Sequence, residues 1–364
     1  MKNAVKRSLW VLIPLSSLVV YNILSFFPAF TEEYYSRGLY PFIASALSYL
    51  NQFTGYSLGE FFVYLTVAFF IALLVYFLAV IFSNKVSEKR KKAFGAVRTL
   101  LITAAMLYSF FVLFWSLGFN RMPVASSLGY DIEKYTVEEL DLLTDKLILK
   151  ANQLSHQVSR DSSGCFTAKG GKEAVIEKAP YIYSENALPF MKQIPERRIK
   201  HNLVPGLLSN INSQGIYSPF TFESNVNIDI PDLYFAATCC HEYAHLQGFC
   251  KEDEAEFIAF YVTYDCGDPD FMYSGTVMAL NHCLSQLRKT SPEYYLNALN
   301  KIDDLIYNDF KQHSDYWDRY DTEISKASDR INDNYLKSNK QSSGIKSYGL
   351  MIDILLSMQR NGDI

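Results

Sequence analysis

Three apolar stretches without one charged side chain restrict what this chain can fold into: Leu9–Phe30, Phe61–Ser83 and Thr99–Asn120. Each has about the 20 residues a helix needs to cross the hydrocarbon core of a bilayer. A soluble core helix of that length carries charge along its outward face, and these carry none. Mean hydropathy over the whole chain is near zero only because the polar remainder dilutes these segments. Lys2, Lys6 and Arg7 precede the first stretch as they would precede a signal peptide. Its apolar run is too long for a signal sequence and lacks a small-x-small cleavage site, so it is expected to stay as a span.

The basic residues orient the spans, because loops rich in Lys and Arg stay in the cytoplasm. The N-terminus qualifies, and so does the link between the second and third spans, with Lys85, Lys89, Arg90, Lys91, Lys92 and Arg98. The link between the first and second spans has Glu32, Glu33 and a single Arg37, which puts it outside. The expected division is a membrane domain over residues 1–120, with an outer loop at 31–59, and an extracytoplasmic domain over 121–364. The loop contains Tyr40–Leu50, helical in spacing and rich in aromatics. It is expected to act as an amphipathic connector, in the interface or against the outer domain.

The outer segment is long enough to bury its own core and reads as mostly helical. Thr136-Val137-Glu138-Glu139 is a capping box, and Leu140, Leu143, Leu147, Ala151, Leu154 and Val158 then recur at helical steps. Pro180 and Pro189 make a helix over Ala174–Gln193 doubtful. Helices fit Pro231–Gly248, Gly275–Leu287, Pro292–Phe310, Asp321–Leu336 and Gly344–Met358. Gly215–Ile230 is instead β-rich. Within it, Thr221–Ile230 is expected to be an edge strand able to receive an extended peptide, or else a plain hairpin. The fold class expected is mainly α: three N-terminal transmembrane helices and a helical, zincin-like outer domain with a short β element.

The chemistry concentrates at His241-Glu242-Tyr243-Ala244-His245. Residues four apart share a helix face, so His241 and His245 can hold one metal ion between them. Glu242, beside the first ligand, can reach a metal-bound water, which is the arrangement that zinc peptidases use. With only six histidines in 364 residues, this spacing is seldom met by chance. Gly248 offers a helix stop. A second helix then begins at the acidic run Glu252, Asp253, Glu254, Glu256, a cluster that could equally do no more than cap that helix start. Zinc needs a third protein ligand and an open position. A tight turn at Gly248 can swing the second helix back, which favours Glu252 as that ligand, with Glu256 as the alternative. Lys251 cannot serve while protonated. The cofactor expected is Zn²⁺.

Glu252-x-x-Ala255-Glu256 resembles the second motif of zinc peptidases related to thermolysin and to the membrane CAAX-type proteases. That likeness implies that Glu252 binds metal and that Glu256 orients a ligating histidine. Here the second acid is Glu rather than Asp, and the spacing from His245 is shorter. Nearly the whole chain resembles an uncharacterised family of bacterial multi-pass membrane proteins, a domain of unknown function provisionally grouped with HExxH zinc metallopeptidases. The likeness rests on Tyr34–Pro41, Tyr56–Glu60, Phe119-Asn120-Arg121, Gly215–Thr221, Glu223–Asn227, the HEYAH helix, Glu252–Phe257 and Tyr273-Ser274-Gly275. Glu256 stands where members of that family often carry Asn.

Other features point elsewhere or nowhere. A net charge of −4, with no phosphate loop or nucleophile elbow, gives no sign of nucleic-acid binding. All six cysteines follow the spans without a C-x-x-C pair and read mostly as buried thiols. His156, His201, His282 and His313 lack ligand spacing. Tyr273 is a candidate oxyanion donor, against an ordinary core role in a chain with 26 tyrosines. The sequence thus predicts a membrane-bound zinc peptidase: His241, His245 and Glu252 as ligands, Glu242 as base, the lipid bilayer and an unspecified peptide or protein as partners. The alternative is a non-catalytic sensor or assembly factor anchored in the membrane around a structural zinc. Glu242 favours the enzyme, since a structural zinc needs no general base.

Overall fold

The computed structural model describes residues 12–364 apart from 205, 340, 342, 345 and 347–349. Lys2, Lys6, Arg7 and the start of the first apolar stretch lie outside the described residues. The described chain is mainly helical around one small sheet.

Helix α1, Leu12–Leu24, stops short of the expected Phe30. Pro28 lacks a backbone N–H and disfavours helical geometry in the residue before it. The chain bends there, so that Leu12–Leu24 and Pro28–Asn51 lie at 111°. After a π-helical segment, Thr31–Leu39, comes α2, Tyr40–Asn51. Helix α3, Leu58–Phe82, is apolar all round and begins at a Ser57 cap whose side chain accepts from Glu60 N. Helix α4 starts earlier than the third expected span, at Lys89, and ends at Phe114; Ser116–Asn120 is a buried 3₁₀ turn. The stretches Leu58–Phe82 and Lys89–Asn120 are long and apolar enough to cross a membrane, with a third span if the bent pair counts as one.

The capping box at Thr136 and Glu139 starts α5, Val137–Ser155. Helix α6, Gly171–Glu185, runs through Pro180, so that proline does not end it. The expected strand region splits. Strands β1 (Lys200–His201), β2 (Gly215–Ser218) and β3 (Glu223–Val226) form one sheet in the order β1-β3-β2. β1 pairs parallel with β3, and β2 antiparallel with it. The edge assigned to Thr221–Ile230 is therefore wrong: its strand is central, because β1 comes in beside it from earlier in the chain. The edge strands are β1, met at His201 by an isolated bridge from Tyr56, and β2, whose outer side takes no strand among the described residues.

Helix α7, Phe235–Leu246, carries the histidines, and every one of its residues is buried. It packs on α6, on β2 and β3, on α8 (Glu252–Tyr264) and on α9 (Pro269–Thr290). The single helix expected over Pro292–Phe310 is two, α10 (Pro292–Leu299) and α11 (Asp304–Asp318). Asp303 caps the second by accepting from Leu305 N at 2.9 Å, which stops the first from continuing. Helix α12, Glu323–Ser338, and α13, Met351–Asn361, complete the order.

One hydrophobic core joins the ends of the candidate spans to the segment after residue 120, including Tyr40, Trp115, Leu143, Tyr243 and Phe257. The turn from residue 120 to 121 is no loose linker. Arg121 is buried, pairs with Glu32 at 2.8 Å and donates to Gly248 O at 3.1 Å.

Candidate metal centre

Two helices and the turn between them build the centre. Gly248 has φ +89, open to glycine and strained for other residues. A Cβ there would also lie 2.8 Å from the Tyr40 ring. Tyr40 donates its hydroxyl to Leu246 O at 3.1 Å, so α2 packs on the segment after residue 120, just behind the turn at Gly248. The turn sends α8 back along α7, and Phe249 O accepts a 2.6 Å hydrogen bond from His245 Nδ1. Since a carbonyl can only accept, His245 carries its proton on Nδ1 and turns the Nε2 lone pair inward.

Glu252, in the first turn of α8, places Oε2 3.2 Å from His241 Nε2 and 3.4 Å from His245 Nε2. Among the described residues, His241, His245 and Glu252 are the one group of His, Cys, Asp or Glu whose ligand atoms could hold an ion, all within 4.8 Å of one another. Glu256, one turn further on, faces the other nitrogen of His241, with Oε1 3.8 Å from Nδ1. Its second oxygen lies 3.9 Å from Nε2 of His282 on α9. Sequence reasoning missed His282, because α9 brings it in from a distance with no ligand spacing to announce it. Tyr273 is elsewhere: its hydroxyl is bonded to the Asp309 carboxylate at 2.5 Å within the core.

Burial and charge set the protonation. Burial opposes ionisation of Glu252, but the imidazoles of His245 and His241 outweigh it and hold its carboxyl well below the usual range. Burial likewise opposes the His241 imidazolium, and the carboxylates of Glu252 and Glu256 outweigh it, raising His241 to about 9. Burial dominates at Glu242 and pushes its carboxyl up to about 7, against the pull of His245 and His241. Glu242 Oε2 is buried without a hydrogen-bond partner. Its other oxygen faces the backbone of β2, where a Cβ on Gly215 would come within 2.5 Å. Ser224 on β3 fixes the helix from behind, donating to Glu242 O at 2.7 Å.

The donor set suits zinc: two imidazole nitrogens, one of them with its tautomer fixed, and one ionised carboxylate, with the Glu242 carboxyl alongside. Trp115, just past the end of α4, lies edge-on to His245 with ring centroids 5.4 Å apart. Five of the six cysteines are buried, Cys266 is partly exposed, and all six are free thiols. Comparison with curated proteins and with solved structures gives no match. The chain does match one family, described as a protein of unknown function (DUF3810), over residues 35–356, and with that coverage it belongs to the DUF3810 family.

Proposed function

We propose that this protein is a membrane-bound, zinc-dependent peptidase whose catalytic segment lies on the extracytoplasmic face. One observation carries the reading: two histidine Nε2 atoms and a Glu252 oxygen converge beside a buried glutamate, Glu242, with an unpartnered oxygen and a pKa of about 7. A structural zinc site has no use for such an acid. His241, His245 and Glu252 would hold the ion. Bound there, zinc supplies Lewis acidity toward a water and a peptide carbonyl. Glu242 takes a proton from the attacking water and returns it to the leaving amine, as its place beside the ligand set and its unpartnered oxygen allow. Phe249 O orients His245 from behind, and Glu256 supplies a carboxylate 3.8 Å behind His241.

The test compares purified wild type with Glu242→Gln on a mixed peptide library, read by mass spectrometry, with zinc content measured on both. Glu242→Gln keeps the side chain's size and removes the base. It should hold zinc and lose cleavage by about two to four orders of magnitude. Cleavage unchanged by the substitution, or a zinc-loaded wild type that cuts nothing even in its native membrane, would favour the non-catalytic sensor or assembly factor.

A further inference from the structure

Strand β2 runs from the candidate metal centre toward the spans. Its first residue, Gly215, abuts the Glu242 carboxyl. Its last, Ser218, abuts the first turn of α3, where a Cβ on Gly59 would lie 2.8 Å from Ser218 Cβ. Just beyond it, the Phe220 ring stacks on Phe62 of α3 at 4.9 Å and on Phe110 of α4 at 5.6 Å. The three residue steps from Gly215 to Ser218 cover about 10 Å, so Glu242 stands roughly that far from the mouths of the two candidate spans.

Helix α2 marks the same level. Tyr40, Ala44, Ser48 and Asn51 are buried, and the contacts of Tyr40 and Asn51 run to Leu246 and Thr221 of the outer segment. Phe42, Tyr49 and Leu50 form the opposite face, with Phe53 just past the helix end packed against Tyr49, and the four are 55–75% exposed. This apolar face leads within a few residues into α3, which carries no charged residue after Glu60, so the occupant that fits it is the outer leaflet of the bilayer.

We infer that the substrate is a membrane-anchored polypeptide, cut a few residues from where it leaves the bilayer. The inference rests on the peptidase reading above. An extended segment paired along the free edge of β2 has one end at Glu242 and the other at the tops of α3 and α4. Hydrolysis breaks the peptide C–N bond. The hydroxyl of water goes to the acyl carbon, and a proton reaches the amine nitrogen through Glu242. Anchoring raises the local concentration of such a chain without any further contact.

The experiment uses the full chain in nanodiscs of phosphatidylethanolamine and phosphatidylglycerol. One mixed-sequence peptide library is offered in three forms: lipid-anchored at its N-terminus, lipid-anchored at its C-terminus, and free. At least one anchored form should be cut about ten-fold faster than the free library or better. The cuts should fall within about five residues of the anchor and vanish in Glu242→Gln. Equal rates for free and anchored peptides, or cuts spread evenly along the chain, would overturn the inference and leave the peptidase standing. No cleavage of any form would overturn both. A second readout needs no hydrolysis: bimane on Phe53→Cys, in a Cys266→Ser background, should be quenched by nitroxide-labelled lipid. An unquenched label means that α2 stands clear of the bilayer and overturns the inference by itself.

Discussion

Glu252 and Glu254 stand two residues apart on α8, both buried, and face different partners. Glu252 faces both histidines, whereas Glu254 accepts from Val124 N at 3.1 Å and from Lys251 Nζ at 3.1 Å. The first prediction follows from this division. His241→Ala and His245→Ala should abolish stoichiometric zinc, because two remaining protein ligands are too few. Glu252→Gln should weaken binding severely, while Glu254→Gln keeps the metal. Metal analysis of dialysed protein checks this, and a Glu252→Gln variant with full zinc beside a zinc-free Glu256→Gln would move the third ligand to Glu256. The second prediction concerns Glu242. Its pKa is about 7 in the folded, metal-free protein, against an ordinary 4.5. Between those values the folded state holds a proton that the unfolded chain releases, so stability falls as pH rises through this window and the penalty is complete above pH 7. Gln has no charge to bury. Metal-free Glu242→Gln should therefore match wild type near pH 4 and exceed it at pH 8 by on the order of 2–3 kcal/mol. Thermal unfolding in detergent with chelator reads the difference; a variant no more stable at pH 8 than at pH 4, relative to wild type, would sink the argument.

Edge strand and helix meet where Gly215 leaves room for Glu242, and a methyl group there tests the fit. Gly215→Ala places Cβ 2.5 Å from Oε1 and 2.8 Å from the carboxyl carbon, in a pocket where Glu242 is buried. The carboxyl must swing away while the proposed ligands His241, His245 and Glu252 stay in place. We expect unchanged zinc content and hydrolysis reduced by about 10²-fold, as for a displacement of about 1 Å at a reacting group. A Gly215→Ala protein with wild-type turnover would show that Glu242 works from another rotamer. What the sequence made legible at this scale was local. The i, i+4 histidines, the stop at Gly248 and the capping box at Thr136 all act within a turn or two of chain. So does the return of Glu252 toward the histidines, which needs only the positive φ of one glycine. Pairing order was not legible: β-rich composition marked the region, but β1 arrives from a segment without β character and takes the outer side of β3, which moves the free edge to β2. His282 was hidden for the same reason, since its place beside Glu256 depends on how α9 packs. The bend after α1 escaped because hydropathy counts Pro28 as one more apolar residue.

The whole molecule has one topological constraint that neither charge nor packing supplies alone. Helix α2 lies between α1 and α3 in the chain, and the metal-site turn follows α4, yet Tyr40 of α2 touches that turn through Leu246 and Gly248. Glu32 and Arg121 are bonded across the same two regions in a buried pair, with Arg121 also stacked 3.7 Å over Phe249. Lys200 of β1 joins Asn51 O and Glu223, and Glu223 in turn accepts from Gly59 N at the start of α3. These contacts hold α2, the sheet and the candidate metal centre together at one end of α3 and α4; if both helices span the bilayer, they would cross away from that end and back. The link between them, with Lys85, Lys89, Arg90, Lys91 and Lys92, would then lie on the opposite side, which the excess of basic residues predicts to be the cytoplasm. The last prediction tests both halves of this argument. In a Cys266→Ser background, Tyr307→Cys should react with a membrane-impermeant maleimide on intact spheroplasts. Lys91→Cys should react only after permeabilisation. Both positions are well exposed, so accessibility within the fold does not limit either reaction. Labelling of both from outside would mean that α3 and α4 do not cross. Labelling of Lys91→Cys alone would invert the protein, place the metal centre in the cytoplasm, and account for six free thiols by a reducing compartment rather than by burial.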